Sequence, residues 1–193
     1  VHATLLMIGS CAAFATATGL IRHVGSEIDP FEVVFFRNLF GLLVFVPLFL
    51  RRRVALHRPR NVRLYLARAF VGIFTMTSWF YAVTLIPLAE ATALSFTSPL
   101  FATVAAVVML HEIVRFRRWS ATLVGFFGAM VILRPSAGMV DFPAVLVLVS
   151  AASLSVSIVL IKMLSRTESA EAIVTYHTVL LLPVSLIPAL FVW

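Results

Sequence analysis

Seven apolar stretches, each close to the length of a bilayer-spanning helix, fill nearly all of the 193-residue chain. Crossing the hydrocarbon core of a bilayer takes about 20 apolar residues in a helix. The chain is 62% hydrophobic and only 12% charged, with mean hydropathy +1.07, too apolar for a soluble core to absorb. Lipid is therefore the solvent for most of this chain, and the expected fold is all-α and integral to the membrane.

The stretches run Ala3–Ile21, Phe31–Leu50, Leu64–Ile86, Leu88–Leu110, Trp119–Leu133, Phe142–Ile161 and Glu171–Val192. Pro87 predicts a tight turn between the third and fourth, because proline cannot continue the preceding helix without losing a hydrogen bond. The first stretch is too long and too flecked with polar residues for a cleaved signal peptide, so it reads as a retained helix.

Lysine and arginine then orient the chain. The loops after the second, fourth and sixth stretches carry Arg51, Arg52, Arg53, Arg58, Arg60, Arg63, Arg115, Arg117, Arg118, Lys162 and Arg166. The alternate loops carry only Arg22 and Arg134. Eleven against two places the basic loops, and with them the first residue, in the cytoplasm. The excess of positive charge (formal net charge +7) thus reports membrane orientation rather than nucleic-acid binding, and no nucleic-acid partner is expected. One cysteine, Cys11, and five histidines without metal-ligand spacing give no metal site, no cofactor and no catalytic set.

Sliding the chain by 140 residues superposes Leu20-Ile21-Arg22 on Leu160-Ile161-Lys162. It also pairs Ser10 with Ser150, Ala12 with Ala152, Val34 with Val174, Phe36 with Tyr176, Arg37 with His177 and Leu42 with Leu182. The first two stretches thereby map onto the last two. A repeat of five helices, an odd number, reverses direction across the membrane, a common construction of secondary transporters. The expected units are residues 3–135, a complete first repeat, and residues 142–193, the start of a second inverted one. The chain opens on Val1 and ends at Trp193 in an apolar run, so three more helices are expected to follow in a ten-helix whole.

Ordered motifs support the same reading. They begin with Phe31-Glu32-Val33-Val34-Phe35-Phe36-Arg37-Asn38 and Trp79-Phe80-Tyr81-Ala82. Pro87-Leu88-Ala89-Glu90-Ala91-Thr92-Ala93-Leu94 and Ser98-Pro99-Leu100-Phe101 follow, then Glu112, Gly125-x-x-Gly128 and Ile132-Leu133-Arg134-Pro135. In order and spacing the chain resembles the EamA family of the drug/metabolite transporter superfamily, over residues 5–135. The Pro87–Leu94 run is most similar to bacterial members that take up S-adenosylmethionine or act as general metabolite carriers. The resemblance implies a multi-pass carrier in the inner (plasma) membrane. It would move a small polar metabolite (an amino acid, nucleoside or adenosyl compound) by alternating access, with a proton or other ion as a candidate coupling partner. No ATP-binding motif accompanies it.

Ionisable groups within membrane helices are costly, so each is a candidate for function. Arg37, about two turns into the second stretch, suits an anionic group of a substrate, or a structural ion pair. Arg68, about one turn inside the third, is expected to snorkel or to pair with a helix end. Glu90 suits a helix N-terminus electrostatically, or pairs with Arg37, or binds a coupling cation. His177, with Tyr176 beside it, is a proton-coupling candidate or an interhelical hydrogen bonder. Ser95 and Ser98, with Thr97, precede Pro99, where a freed carbonyl marks either a broken helix lining a path or a simple kink. Trp79 and Tyr81 fit an aromatic interface belt or stacking on substrate. Gly125 and Gly128 are expected to permit close helix packing. The alternative function is a polytopic membrane enzyme acting on a lipid-linked substrate. Its nearest acidic cluster, Glu27, Asp29 and Glu32, lacks a nucleophile or metal-ligand set.

Overall fold

A computed structural model describes residues 2–25, 27–52, 59, 61–111, 116–133 and 142–193. They form α1 (His2–Val24), α2 (Pro30–Arg52), α3 (Val62–Leu85), α4 (Leu88–Ser95), α5 (Ser98–Leu110), α6 (Phe116–Leu133), α7 (Phe142–Leu164) and α8 (Ala170–Val192). No strand occurs among the described residues. Arg53, Arg58, Arg60, Glu112, Arg115, Arg134 and Pro135 lie outside them.

Five helical stretches among the described residues are long and apolar enough to cross a membrane: Thr4–Val24, Val62–Leu85, Leu88–Leu110, Phe142–Leu164 and Ala170–Val192. A shorter apolar run, Trp119–Gly128, lies in α6. The fourth apolar stretch, expected as one helix, is two, α4 and α5, joined at Phe96 and Thr97. The cause is Pro99, which has no N–H for the Ser95 carbonyl. The Ser98 hydroxyl donates to that carbonyl instead, at 2.7 Å. Polar caps start two other helices. The Asp29 carboxylate accepts the Phe31 N–H at 2.9 Å and the Ser169 hydroxyl oxygen accepts the Ala172 N–H at 3.2 Å, each satisfying an orphan first-turn donor.

α3 is the axis of the bundle. It packs most extensively on α7 and also meets α8, α1 and α2. α4 and α5 lie on α7, α6 lies against α4 and α5, and α2 pairs with α8. Without a hydrophobic drive between helices in lipid, close packing and polar contacts hold such a bundle. α7 supplies both, through buried Ser150, Ala151 and Ser155. The Ser150 hydroxyl donates to the Thr75 carbonyl on α3 and that of Ser155 to the Ser98 carbonyl on α5, each at 2.9 Å. Outward side chains such as Leu6, Phe74, Val131 and Phe191 are apolar and exposed.

Three apolar clusters fix which helix ends lie together. Tyr65, Leu164 and Ile173 pack where α3 begins, α7 ends and α8 begins. Arg63, Lys162 and Arg166 therefore share one end of the bundle, called here the basic end. Val34, Ile73, Phe80 and Leu181 join α2, α3 and α8. Ala82, Val83, Ala91 and Val147 join the end of α3 to the starts of α4 and α7. At that far end the Arg22 guanidinium donates to the Ile86 carbonyl at 2.9 Å, and Trp193 meets the rings of Phe35 and Phe36.

Gly125 and Gly128 correct an expectation. Both are exposed, and a Cβ on either would meet nothing within 4 Å. No described helix packs on them, so the close approach sought there occurs elsewhere, at Gly72.

Candidate functional site: a polar seam between α3 and α8

Residues three and four apart on a helix share a face. On α3 the sequence Tyr65, Arg68, Gly72, Met76 follows that spacing. Ile173, Tyr176, His177 and Leu181 do the same on α8. These two stripes form a seam, and α2 reaches it with Arg37 and Asn38.

Arg68 is only 7% exposed, so it does not snorkel. One terminal nitrogen of its guanidinium donates to the Ile173 carbonyl in the first turn of α8, at 3.2 Å. Its Nε is buried without a partner. Tyr65, 1% exposed, stacks obliquely on Tyr176 with ring centroids 5.1 Å apart, and its hydroxyl is also unpartnered. His177 lies directly against Gly72. A Cβ there would sit 2.9 Å from His177 Cε1 and 3.3 Å from a Leu181 methyl, closer than ordinary contact. Glycine thus admits the imidazole, whose Nδ1 has no partner.

Further along the seam the Arg37 guanidinium donates to Asn38 Oδ1 at 3.2 Å and to the Met76 sulfur at 3.3 Å. The buried Asn38 keeps an unpartnered Nδ2. Arg68 stands one turn before Gly72 on α3, and Met76, which accepts from Arg37, stands one turn after it. Trp79 packs against the apolar clusters on either side of it, with Nε1 buried and unpartnered, as is Thr77 Oγ1. Arg37 also borders an open groove between α1 and α2 of about 510 Å³, walled by Ala17, Leu20, Ile21, Phe36 and Phe40.

Most buried polar groups in proteins are satisfied. Here the unsatisfied set is rich in donors. Arg68 Nε, Asn38 Nδ2 and Trp79 Nε1 can only donate, and the Tyr65 and Thr77 hydroxyls can. Such an arrangement is suited to a ligand that brings acceptor oxygens.

Of the candidates named from sequence, the structure brings Arg37, Trp79, Tyr176 and His177 to α2, α3 and α8. Tyr81 is half-buried near the far end of α3, where its carbonyl accepts from the Thr84 hydroxyl at 2.7 Å. Ser95 and Ser98 lie apart, at the α4–α5 break. The Ser95 hydroxyl donates to the Thr92 carbonyl at 2.6 Å, and that of Thr97 to the Leu94 carbonyl at 2.7 Å. Glu90 is exposed in the first turn of α4, where a carboxylate complements the helix dipole. Arg37 donates to Asn38 and Met76, not to Glu90. Asp29, considered for lipid chemistry, serves as the α2 cap, and no group of three metal-ligating side chains occurs among the described residues. Arg68, expected from sequence to snorkel or to pair with a helix end, joins this seam, as do Tyr65, Gly72 and Asn38, which sequence alone does not single out. Their signal is polar or small residues recurring at helical spacing on otherwise apolar helices.

Comparison with known proteins fits this architecture. The chain is 33% identical over 174 residues to an S-adenosylmethionine uptake transporter of Rickettsia prowazekii, covering 89% of this chain and 58% of that protein. It is 29% identical over 181 residues to a riboflavin transporter of Brucella anthropi, covering 93% and 64%. To a pseudopaline exporter of Pseudomonas aeruginosa it is 31% identical over 173 residues, covering 89% and 61%. The chain thus spans roughly three-fifths of the length of these curated relatives. No solved structure matches it significantly. Residues 2–134 match the model of the EamA-like transporter family, and with its multi-pass helical fold the chain belongs to that family.

Proposed function

We propose that the protein is a secondary carrier that moves a small polar metabolite across the bacterial inner membrane by alternating access. The observation that carries this reading is the α3–α8 seam: unpaired donors and the Arg68 guanidinium buried within apolar helices, with the exposed Arg37 beside them. Ionisable groups at such depth line substrate or ion paths by default. The substrate classes are those named for the relatives, adenosyl compounds such as S-adenosylmethionine first and flavins second.

Helix directions support an inverted repeat. α1 ends at the far end of the bundle, beside Ile86, whereas α7 ends at the basic end, beside Tyr65. α2 begins where α8 finishes, at the Phe36–Trp193 contact. Each pair related by the 140-residue offset thus runs in opposite senses, as inversion requires. The basic end faces the cytoplasm by the positive-inside rule, with the first residue there also. An ion or substrate gradient supplies the energy, and His177 is the proton-coupling candidate.

The test is uptake into proteoliposomes loaded with unlabelled compound. Saturable accumulation of labelled S-adenosylmethionine, riboflavin or a related polar metabolite is expected. Lack of movement for all of them, under proton and sodium gradients of either sign, would contradict a carrier.

A further inference from the structure

The seam divides into two parts of different chemistry. Toward α2, the Arg37 guanidinium is already engaged with Asn38 and Met76. Toward the basic end, Arg68, Tyr65 and His177 each keep a buried polar atom without a partner. An uncompensated cation in a membrane interior is expensive, and among the described residues Arg68 has only a neutral carbonyl as hydrogen-bond partner. A neutral carbonyl leaves the charge itself unbalanced.

Among the described residues the hydrogen-bond partner of the Arg68 guanidinium is the Ile173 carbonyl and not the Glu168 carboxylate. His177 packs against Gly72, one helical turn from Arg68. Gly72 holds the imidazole in that position by leaving room for it. What Arg68 itself lacks is a facing negative charge with several acceptor oxygens. A planar guanidinium, a phenol and an imidazole are the side chains that recognise a carboxylate or a phosphate.

We propose that Arg68, with Tyr65 and His177, forms a binding site for the anionic group, carboxylate or phosphate, of the small molecule the protein binds. Resting on the carrier reading, this names the part of the substrate held at the basic end of the seam. The rest of the ligand would extend toward Met76 and Trp79, where a sulfur and an indole offer a softer, apolar surface.

The test uses two matched pairs of probes on protein in lipid nanodiscs. S-adenosylmethionine is compared with its decarboxylated form, and riboflavin 5′-phosphate with riboflavin. In at least one pair the member that carries the anionic group should bind about tenfold or more tightly, a charge-assisted contact being stronger than a neutral one. The pair that shows the preference identifies carboxylate or phosphate. R68Q should erase the preference while leaving the affinity of the neutral or decarboxylated member within about twofold, and R68K should keep part of it. No preference in either pair, no binding of any of the four probes, or a folded R68Q that keeps the preference would overturn the site. Should R68Q elute as aggregate, Y65F and H177Q are read in the same way: a weakened preference supports the site and an unchanged one overturns it. Transport without any anion preference sinks this inference and leaves the carrier standing. Anion-selective binding without transport does the reverse.

Discussion

Two polar seams run through this apolar bundle, and they are built on opposite principles. Between α5 and α7 every hydroxyl described above has a carbonyl. Ser155 donates to Ala151 at 2.8 Å and to Ser98 at 2.9 Å. Thr103 turns back to the Pro99 carbonyl at 2.8 Å, and Ser98 to that of Ser95. Short hydroxyl side chains reach the carbonyl three or four residues earlier, so a helix can absorb them without outside help. At the basic end of the α3–α8 seam the unpaired polar groups are long or aromatic. Arg68, Tyr65 and His177 cannot fold back on their own helix, and each keeps an atom unpaired. Polar content in a membrane helix thus does not by itself mark a site. What marks it is the donor that the helix leaves over.

That contrast is open to attack by substitution. The largest effect is expected on transport. Arg37→Gln removes the guanidinium that holds Asn38 and Met76 at the seam and should lower the uptake rate by about tenfold to a hundredfold, given roughly 1.5–3 kcal/mol for a charge-assisted hydrogen bond. Ser98→Ala, on the self-satisfied seam, should stay within about twofold of wild type. Parity between the two in the liposome assay would erase the distinction.

Glycines sharpen it on the side of stability. Gly72→Val places a branched Cβ against His177 and Leu181 and should destabilise by about 1–3 kcal/mol through overpacking. Gly125→Ala meets nothing and should be neutral or stabilise by about 0.5–1 kcal/mol through helix propensity. Thermal unfolding of the detergent-solubilised protein reads both, and equal shifts would mean that α8 does not press on α3 at Gly72. The smallest effect belongs to Ser155→Ala. Losing its two interactions should cost about 0.6 kcal/mol, typical of interhelical hydrogen bonds in membranes. A loss several times larger in the same unfolding measurement would show that the α5–α7 seam is less self-sufficient than its geometry implies.

The helices themselves were legible because the bilayer sets their length. Arg37, Trp79, Tyr176 and His177 stood out for a related reason, being polar or aromatic groups where lipid tolerates few. Facing was harder to read. Arg68 lies near a helix end, which favours snorkelling from sequence alone, yet its partner carbonyl belongs to Ile173, 105 positions away. Nothing local encodes that contact. Gly72 and Gly125 are alike in sequence, and only the helix that does or does not arrive distinguishes them. The break at Pro99 was half visible: a freed carbonyl follows from proline chemistry, but the Ser98 rotamer that satisfies it follows from three-dimensional geometry.

The most direct measurement is substrate protection of introduced cysteines. With Cys11 replaced by serine, Tyr176→Cys and Ser98→Cys would each be reacted with a water-soluble thiol reagent in membranes, with and without saturating transported ligand. If the α3–α8 seam is the site, ligand slows modification at Tyr176→Cys and leaves the rate at Ser98→Cys unchanged. Protection at Ser98→Cys with none at Tyr176→Cys would place the path on the α5–α7 side and contradict the assignment.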